Sequence, residues 1–148
     1  MTYFILSLIF TYFACMGFEF LFHIRGKLLF IAPIGGVIIW AAYLLFEPIV
    51  PSVIVRTFIA TIFAALYCEI VARVMKVPVI SFMVISILPL VPGSGIYYTM
   101  LHFVQSDYEA FALKGIETIG IAGALAIAII FVSTIFRIPA RIKELKNK

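Results

Sequence analysis

The sequence predicts an all-α integral membrane protein with five transmembrane helices, the fourth broken at a Pro-Gly segment. Three observations carry that prediction. The chain is 65% apolar and 12% charged, with a mean hydropathy of +1.22. That is too little charge for the surface of a soluble domain of 148 residues. Five apolar stretches approach or exceed the ~20 residues a helix needs to cross hydrocarbon. The fourth contains Leu88-Pro89-Leu90-Val91-Pro92-Gly93-Ser94-Gly95, where two prolines remove backbone donors and two glycines loosen the chain.

The stretches cover residues 2–22, 28–46, 52–72, 79–104 and 110–136. Residues 1–136 read as one five-helix transmembrane domain and residues 137–148 as a basic cytoplasmic tail. The first stretch lacks a positive start and is too long for a signal peptide. The loops are short, so neighbouring helices run antiparallel. Arg25 and Lys27 lie in the first loop, Arg73 and Lys76 in the third, and Arg137, Arg141, Lys143, Lys146 and Lys148 in the tail. These are nine of the eleven basic residues, and with five alternating spans all fall on one side. The opposite loops carry Glu47, Asp107 and Glu109 and no basic residue. The positive-inside rule therefore predicts the N-terminus outside and the C-terminus in the cytoplasm.

The same distribution explains the net charge of +4 by membrane orientation, without a nucleic acid partner. Cys15 and Cys68 both fall in apolar runs and read as small core residues. The chain has no Cys/His cluster, no phosphate-cradling glycine loop and no soluble catalytic domain. It therefore points to no metal, no cofactor and no enzyme. An intramembrane enzyme is disfavoured because no nucleophile–base pair converges at recognisable spacing.

In the fourth stretch, residues 79–88 form one half-helix. Gly93 or Ser94 caps a second half that runs through Tyr97, Met100 and His102. Amides at the start of that half have no intrahelical partner. They sit at the positive end of the helix dipole, where a carboxylate is the natural guest. Pro89, Pro92, Gly93, Ser94, Gly95 and Tyr97 are thus the candidate substrate-binding residues, with Tyr98 or Thr99 as alternatives to Tyr97 for a hydroxyl contact. Such breaks recur at the substrate sites of secondary transporters; a proline kink covered by neighbouring helices is the alternative.

In the fifth stretch, Gly120, Ala124 and Ala128 make a face of small residues, and Glu117 shares it. Glu117 either meets a proton or a substrate ammonium, or pairs with Lys114. Glu69 is the second such candidate, with an interfacial pair to Arg73 as its alternative. Glu19 and His23 have the same spacing. Arg56 is placed to snorkel towards headgroups, Trp40 and Tyr43 fit an aromatic belt, and Pro33 with Gly35-Gly36 marks a bend or a close contact. The basic tail meets anionic membrane lipids.

Several motifs fall together. Phe18-Glu19-Phe20-Leu21-Phe22-His23-Ile24 leads into Lys27-Leu28-Leu29 and Gly35-Gly36. A basic turn ends in Lys76-Val77-Pro78, and Ile87-Leu88-Pro89-Leu90-Val91-Pro92-Gly93-Ser94-Gly95-Ile96-Tyr97 follows. With these the chain resembles the threonine/serine exporter family in its split form. Within it, the chain is similar to the small subunit, equivalent to the C-terminal half of single-chain exporters. The Pro-Gly segment is the most specific part of a likeness that covers nearly the whole chain.

The resemblance implies proton-driven export of threonine, serine or a related small carboxylate across a prokaryotic plasma membrane. Some split-form relatives are linked to dicarboxylate export, so the substrate stays open. It also implies a larger partner subunit with about five spans and a soluble N-terminal part. Whether copies associate into an oligomer stays open too. The competing reading is a non-transporting scaffold that stabilises that partner.

Overall fold

The computed structural model describes residues 2–22, 26 and 28–146, with residues 139–146 described by backbone alone. Among the described residues there is no strand. The elements are α1 (Thr2–Leu21), α2 (Leu28–Leu45), α3 (Val53–Met75), α4 (Ile80–Ile87), a 3-10 turn (Leu88–Leu90), α5 (Gly93–Val104) and α6 (Tyr108–Lys146). Helices α1, α2 and α3 and the segment Tyr108–Ile138 of α6 are each long and apolar enough to cross a membrane. Ile80–Leu90 and Gly93–Val104 pass the same test only as a pair, bent by 51°. A hairpin needs a far larger angle, so α5 continues the advance of α4. The pair counts as one broken span, and the protein is an all-α multi-pass membrane protein.

Local chemistry sets the helix ends. The Val55 amide donates to Ser52 Oγ at 3.5 Å, which makes Ser52 the N-cap of α3. At the other end Lys76 takes a left-handed conformation (φ 56°) and its N–H donates to the Ala72 carbonyl. Asp107 Oδ1 accepts from the Ala110 N–H at 3.1 Å at the start of α6. Pro33 is buried inside α2 without ending it. Helix α6 has 39 residues, roughly 58 Å at 1.5 Å per residue. It outlasts a hydrocarbon layer of about 30 Å and continues as helix through the basic tail. The side chains of residues 139–148, and His23, Arg25 and Lys27 of the first loop, lie outside the described residues.

Packing depends on small side chains. Ala60, Ala64, Ala65, Cys68 and Ala72 of α3 are buried, and so are Ala124 and Ala128 of α6, which lets these long helices lie close. Helix α2 is wedged between α1 and α4 through Gly35-Gly36. A Cβ at Gly35 would collide with Ser86 Oγ and lie 2.8 Å from Ser86 Cβ, and one at Gly36 would collide with Cys15 Sγ. Both cysteines are free and buried. Cys15 Sγ faces the Ile85 carbonyl at 3.7 Å and Cys68 Sγ faces Ser86 Oγ at 3.2 Å, so both act as core packing.

Gly35→Ala is expected to destabilise the detergent-solubilised protein by about 1–3 kcal/mol, the usual cost of overpacking. Gly17→Ala, where a Cβ meets nothing within 4 Å, leaves stability unchanged or slightly raised. Thermal unfolding of the two variants checks the contrast.

Candidate functional site

The broken span begins with backbone chemistry. Pro92, not Gly93 or Ser94, is the N-cap of α5, with no side-chain cap. The Gly93 N–H turns back to the Val91 carbonyl at 2.7 Å, and the Ile96 N–H makes the first helical bond, to the Pro92 carbonyl at 3.0 Å. The amides of Ser94 and Gly95 have no acceptor among the described residues. The expected row of free amides over residues 93–96 is therefore a pair. It lies at the positive end of a twelve-residue helix.

Protein covers one side of the break. Leu90 is buried in a cluster with Ile39, Ala42, Ala60, Ala64 and Leu125. Pro89 Cγ lies 3.6 Å from where a Gly36 Cβ would stand. On the other side Val91, Gly93 and Ser94 are exposed. Polar backbone at membrane depth survives only in such a setting, with protein behind it and a cavity in front.

A cavity of about 430 Å³ lies there. Pro89, Pro92, Ser94 and Gly95 line it from the break, Tyr98 from α5, and Lys114, Glu117 and Thr118 from α6. Trp40 and Tyr43 of α2 and Thr57 of α3 close it. Lys114 Nζ donates to Glu117 Oε2 at 2.7 Å, with the two side chains 47% and 38% exposed. Of the alternatives for Glu117, the ion pair is the one that forms.

The walls are held firmly. Thr99 Oγ1 donates to the Gly95 carbonyl and Thr118 Oγ1 to the Lys114 carbonyl, both at 2.7 Å, and the two hydroxyls lie 3.5 Å apart. The two shorter bonds stay within α5 and α6 respectively, and only the approach of the hydroxyls crosses between the helices. Gly95 is needed at this crossing, because a Cβ there would lie 2.6 Å from Thr118 Oγ1. Across the cavity, Trp40 stacks on Tyr43 with ring centroids 5.6 Å apart. Arg56 lies 4.2 Å from the centre of the Tyr43 ring, and its Nη2 donates to the Tyr43 hydroxyl at 2.8 Å. Arg56 also pairs with Glu47 at 3.4 Å. It is buried, 7% exposed, and turned towards the tyrosine and Glu47, while its Nε has no hydrogen-bond partner among the described residues.

The structure thus brings Pro89, Pro92, Ser94, Gly95 and Glu117 to one cavity. Gly93 lines the adjoining one, about 540 Å³, with Cys15, Phe18 and Trp40. Tyr97 is 63% exposed and packs edge-on against Tyr98, which takes the lining position. Glu69 is far off, at the other end of α3, 3.5 Å from Arg73 Nη2. Glu19 is fully buried, and neither of its oxygens has a hydrogen-bond partner among the described residues; its expected partner His23 lies outside them. Sequence reasoning missed Trp40, Tyr43, Thr57 and Thr118 as lining residues. It counted Lys114 only as the partner of Glu117. The available signal was spacing: Lys114, Glu117, Thr118 and Ile121 lie three or four residues apart on one helix face.

A multi-pass helical bundle that sets a discontinuous span, free amides and an ion pair around one small cavity has the architecture of a secondary transporter. The chain belongs to the threonine/serine exporter family: the model of the family described as threonine/serine exporter, ThrE, matches residues 7–135. The family expected from the Pro-Gly motif is therefore the family found. No curated protein and no solved structure matches the chain.

Gly95→Ala is expected to lower stability by about 1–3 kcal/mol through the clash with Thr118. Adding Thr118→Ala removes the clashing atoms and recovers most of that loss. Thermal unfolding of the single and double variants measures the recovery.

Proposed function

We propose that this chain is one membrane subunit of a proton-coupled exporter of threonine- and serine-type amino acids, and that the cavity at the break is its substrate site. The observation that carries this reading is the charge layout of the cavity. The free amides of Ser94 and Gly95 and the Ser94 hydroxyl share the cavity with the Lys114–Glu117 pair. A zwitterionic amino acid complements that set, its carboxylate on the amides and Lys114, its ammonium on Glu117. At about 430 Å³ the cavity falls at the small end of ligand pockets, in keeping with a small metabolite. Rocking of α5 and α6 about the break, against α2 and α3, supplies alternating access.

Membership of the family supports export. Resemblance to the split form supports a larger partner subunit that completes the pathway. The placement of basic residues supports a prokaryotic plasma membrane orientation with the N-terminus outside and the C-terminus in the cytoplasm. The Ser94 cavity, lined from the N-terminal end of α3, then opens towards the outside. A succinate-like dicarboxylate fits less well, because Glu117 would face its second carboxylate.

Counterflow with labelled threonine, serine and succinate in cells producing the chain and its partner tests the reading. Ser94→Leu fills the cavity and is expected to reduce threonine and serine flux at least tenfold at normal expression. Gly93→Leu, where a side chain enters open space, reduces it much less. Glu117→Gln is expected to impair amino-acid flux more than succinate flux. Unchanged threonine flux in Ser94→Leu removes the break from the mechanism, and flux that needs only the partner makes the chain a scaffold.

Orientation has its own test. A phosphatase fused after Val50 is expected to be active outside the cell, and one fused after Lys76 inactive. The reverse pattern inverts the assignment.

A further inference from the structure

A further cavity, about 340 Å³, lies at the opposite end of α3 from the Ser94 cavity and is lined by Glu69, Arg73, Met83, Ser133 and Arg137. Thr57 of the first cavity and Arg73 of this one are sixteen residues apart along one helix, roughly 24 Å. The two cavities are therefore separate.

Glu69 is the unusual member. It is 3% exposed, yet no hydrogen-bond donor reaches either carboxylate oxygen among the described residues, and its nearest cation is Arg73 Nη2 at 3.5 Å. Neither oxygen is among the fully enclosed atoms that lack a partner, so the carboxylate opens on the cavity. Arg73 is held by α6 more than by Glu69: its Nη2 donates to the Phe136 carbonyl at 2.7 Å and its guanidinium lies 5.0 Å from the Phe136 ring centre. Ser133 and Arg137 are four residues apart on α6 and share a face.

An under-coordinated, nearly buried carboxylate calls for a cationic donor. The guanidinium groups at the rim call for a planar anion, which they grip through paired N–H bonds. One small molecule meets both demands if it carries an ammonium and a carboxylate on neighbouring atoms.

We propose that this cavity is a second amino-acid site, in which Glu69 takes the ligand ammonium, Arg73 and Arg137 take its carboxylate and Ser133 adds a hydroxyl contact. The proposal rests on the exporter reading above and extends it: the site lies at the basic end of the bundle, where the orientation given above places the cytoplasm, and it loads substrate before the break passes it outward. Its layout repeats that of the Ser94 cavity, a carboxylate, basic side chains and a hydroxyl in an apolar wall.

The test is protection of a single thiol. Ser133→Cys is introduced in the full chain and labelled with a membrane-impermeant maleimide in inverted membrane vesicles; Cys15 and Cys68 are buried and stay unlabelled. L-threonine is expected to slow labelling at least threefold. Glu69→Gln in the same background, labelling at the parent rate without ligand, is expected to raise the half-protecting concentration at least tenfold, and Glu69→Asp to restore part of it. N-acetyl-threonine, which lacks the ammonium, and inorganic phosphate are expected to give no protection.

Equal protection by phosphate or N-acetyl-threonine, or protection untouched by Glu69→Gln, makes this an anion site and overturns the proposal. So does protection without threonine that appears only in vesicles containing anionic lipid, which assigns the cavity to a headgroup. No protection by threonine at all overturns it outright. Ser94→Leu separates the two readings. If it abolishes export while threonine fails to protect the introduced thiol, only this second site falls. If threonine protects that thiol while Ser94→Leu exports normally, only the Ser94 site falls.

Discussion

The structure depends on one constraint: backbone amides and carbonyls at membrane depth must find partners inside the protein, because lipid offers none. Four segments meet it by running as uninterrupted helix. The remaining crossing cannot, because Pro89 and Pro92 contribute no N–H and the chain between them leaves α-helical geometry. The fold contains the damage. The 3-10 turn keeps some bonds, with the Val91 N–H reaching the Leu88 carbonyl at 3.2 Å, and Leu90 anchors the turn in the core. What remains open is the pair of amides at Ser94 and Gly95, which face a cavity. The break concentrates unsatisfied polarity at one point.

Close approach of helices supports that arrangement from behind. Gly35-Gly36 lets α2 press against Cys15 of α1 and Ser86 of α4, and this brings Pro89 onto α2. Gly95 lets α5 press against Thr118 of α6. These glycines are needed because a neighbour occupies the space of a side chain, whereas Gly93 has open space around it. Among the described residues, left-handed backbone is left to Lys76, Ser106 and Gly26, all in turns. In a membrane, where apolar burial separates helices from lipid only weakly, such contacts carry much of the packing.

Much of this was legible in the sequence, and the reasons differ by feature. Span number and edges followed from hydropathy: α1, α2 and α3 begin and end within a few residues of the expected stretches. The break was legible because proline and glycine act on the backbone directly, whatever surrounds them. The capping residue was misplaced by one or two positions, since the choice between Pro92, Gly93 and Ser94 depends on how the Gly93 N–H turns back to Val91. Lining residues were the hardest. Tyr97 and Tyr98 are adjacent and alike in composition, and only the rotation of α5 on α6 decides which faces the cavity. Arg56 was expected at the headgroups because its spacing shows a helix end; the tyrosine that holds it is on another helix, beyond the reach of any local pattern.

The charge of the two cavities bears on how the proposed cycle avoids a large barrier. An ion carried alone through a low-dielectric site costs heavily unless matched by opposite charge. Lys114 and Glu117 already neutralise each other in the Ser94 cavity, and Arg73 stands near Glu69 at the other end of α3. A zwitterion that enters either cavity brings one charge of each sign. It exchanges a protein–protein pair for two protein–ligand contacts without changing the net charge of the site. A dicarboxylate brings two charges of one sign and leaves Glu117 facing one of them. The balance of fixed charges in the Ser94 cavity, more than its size, is what the proposed preference for amino acids over diacids rests on.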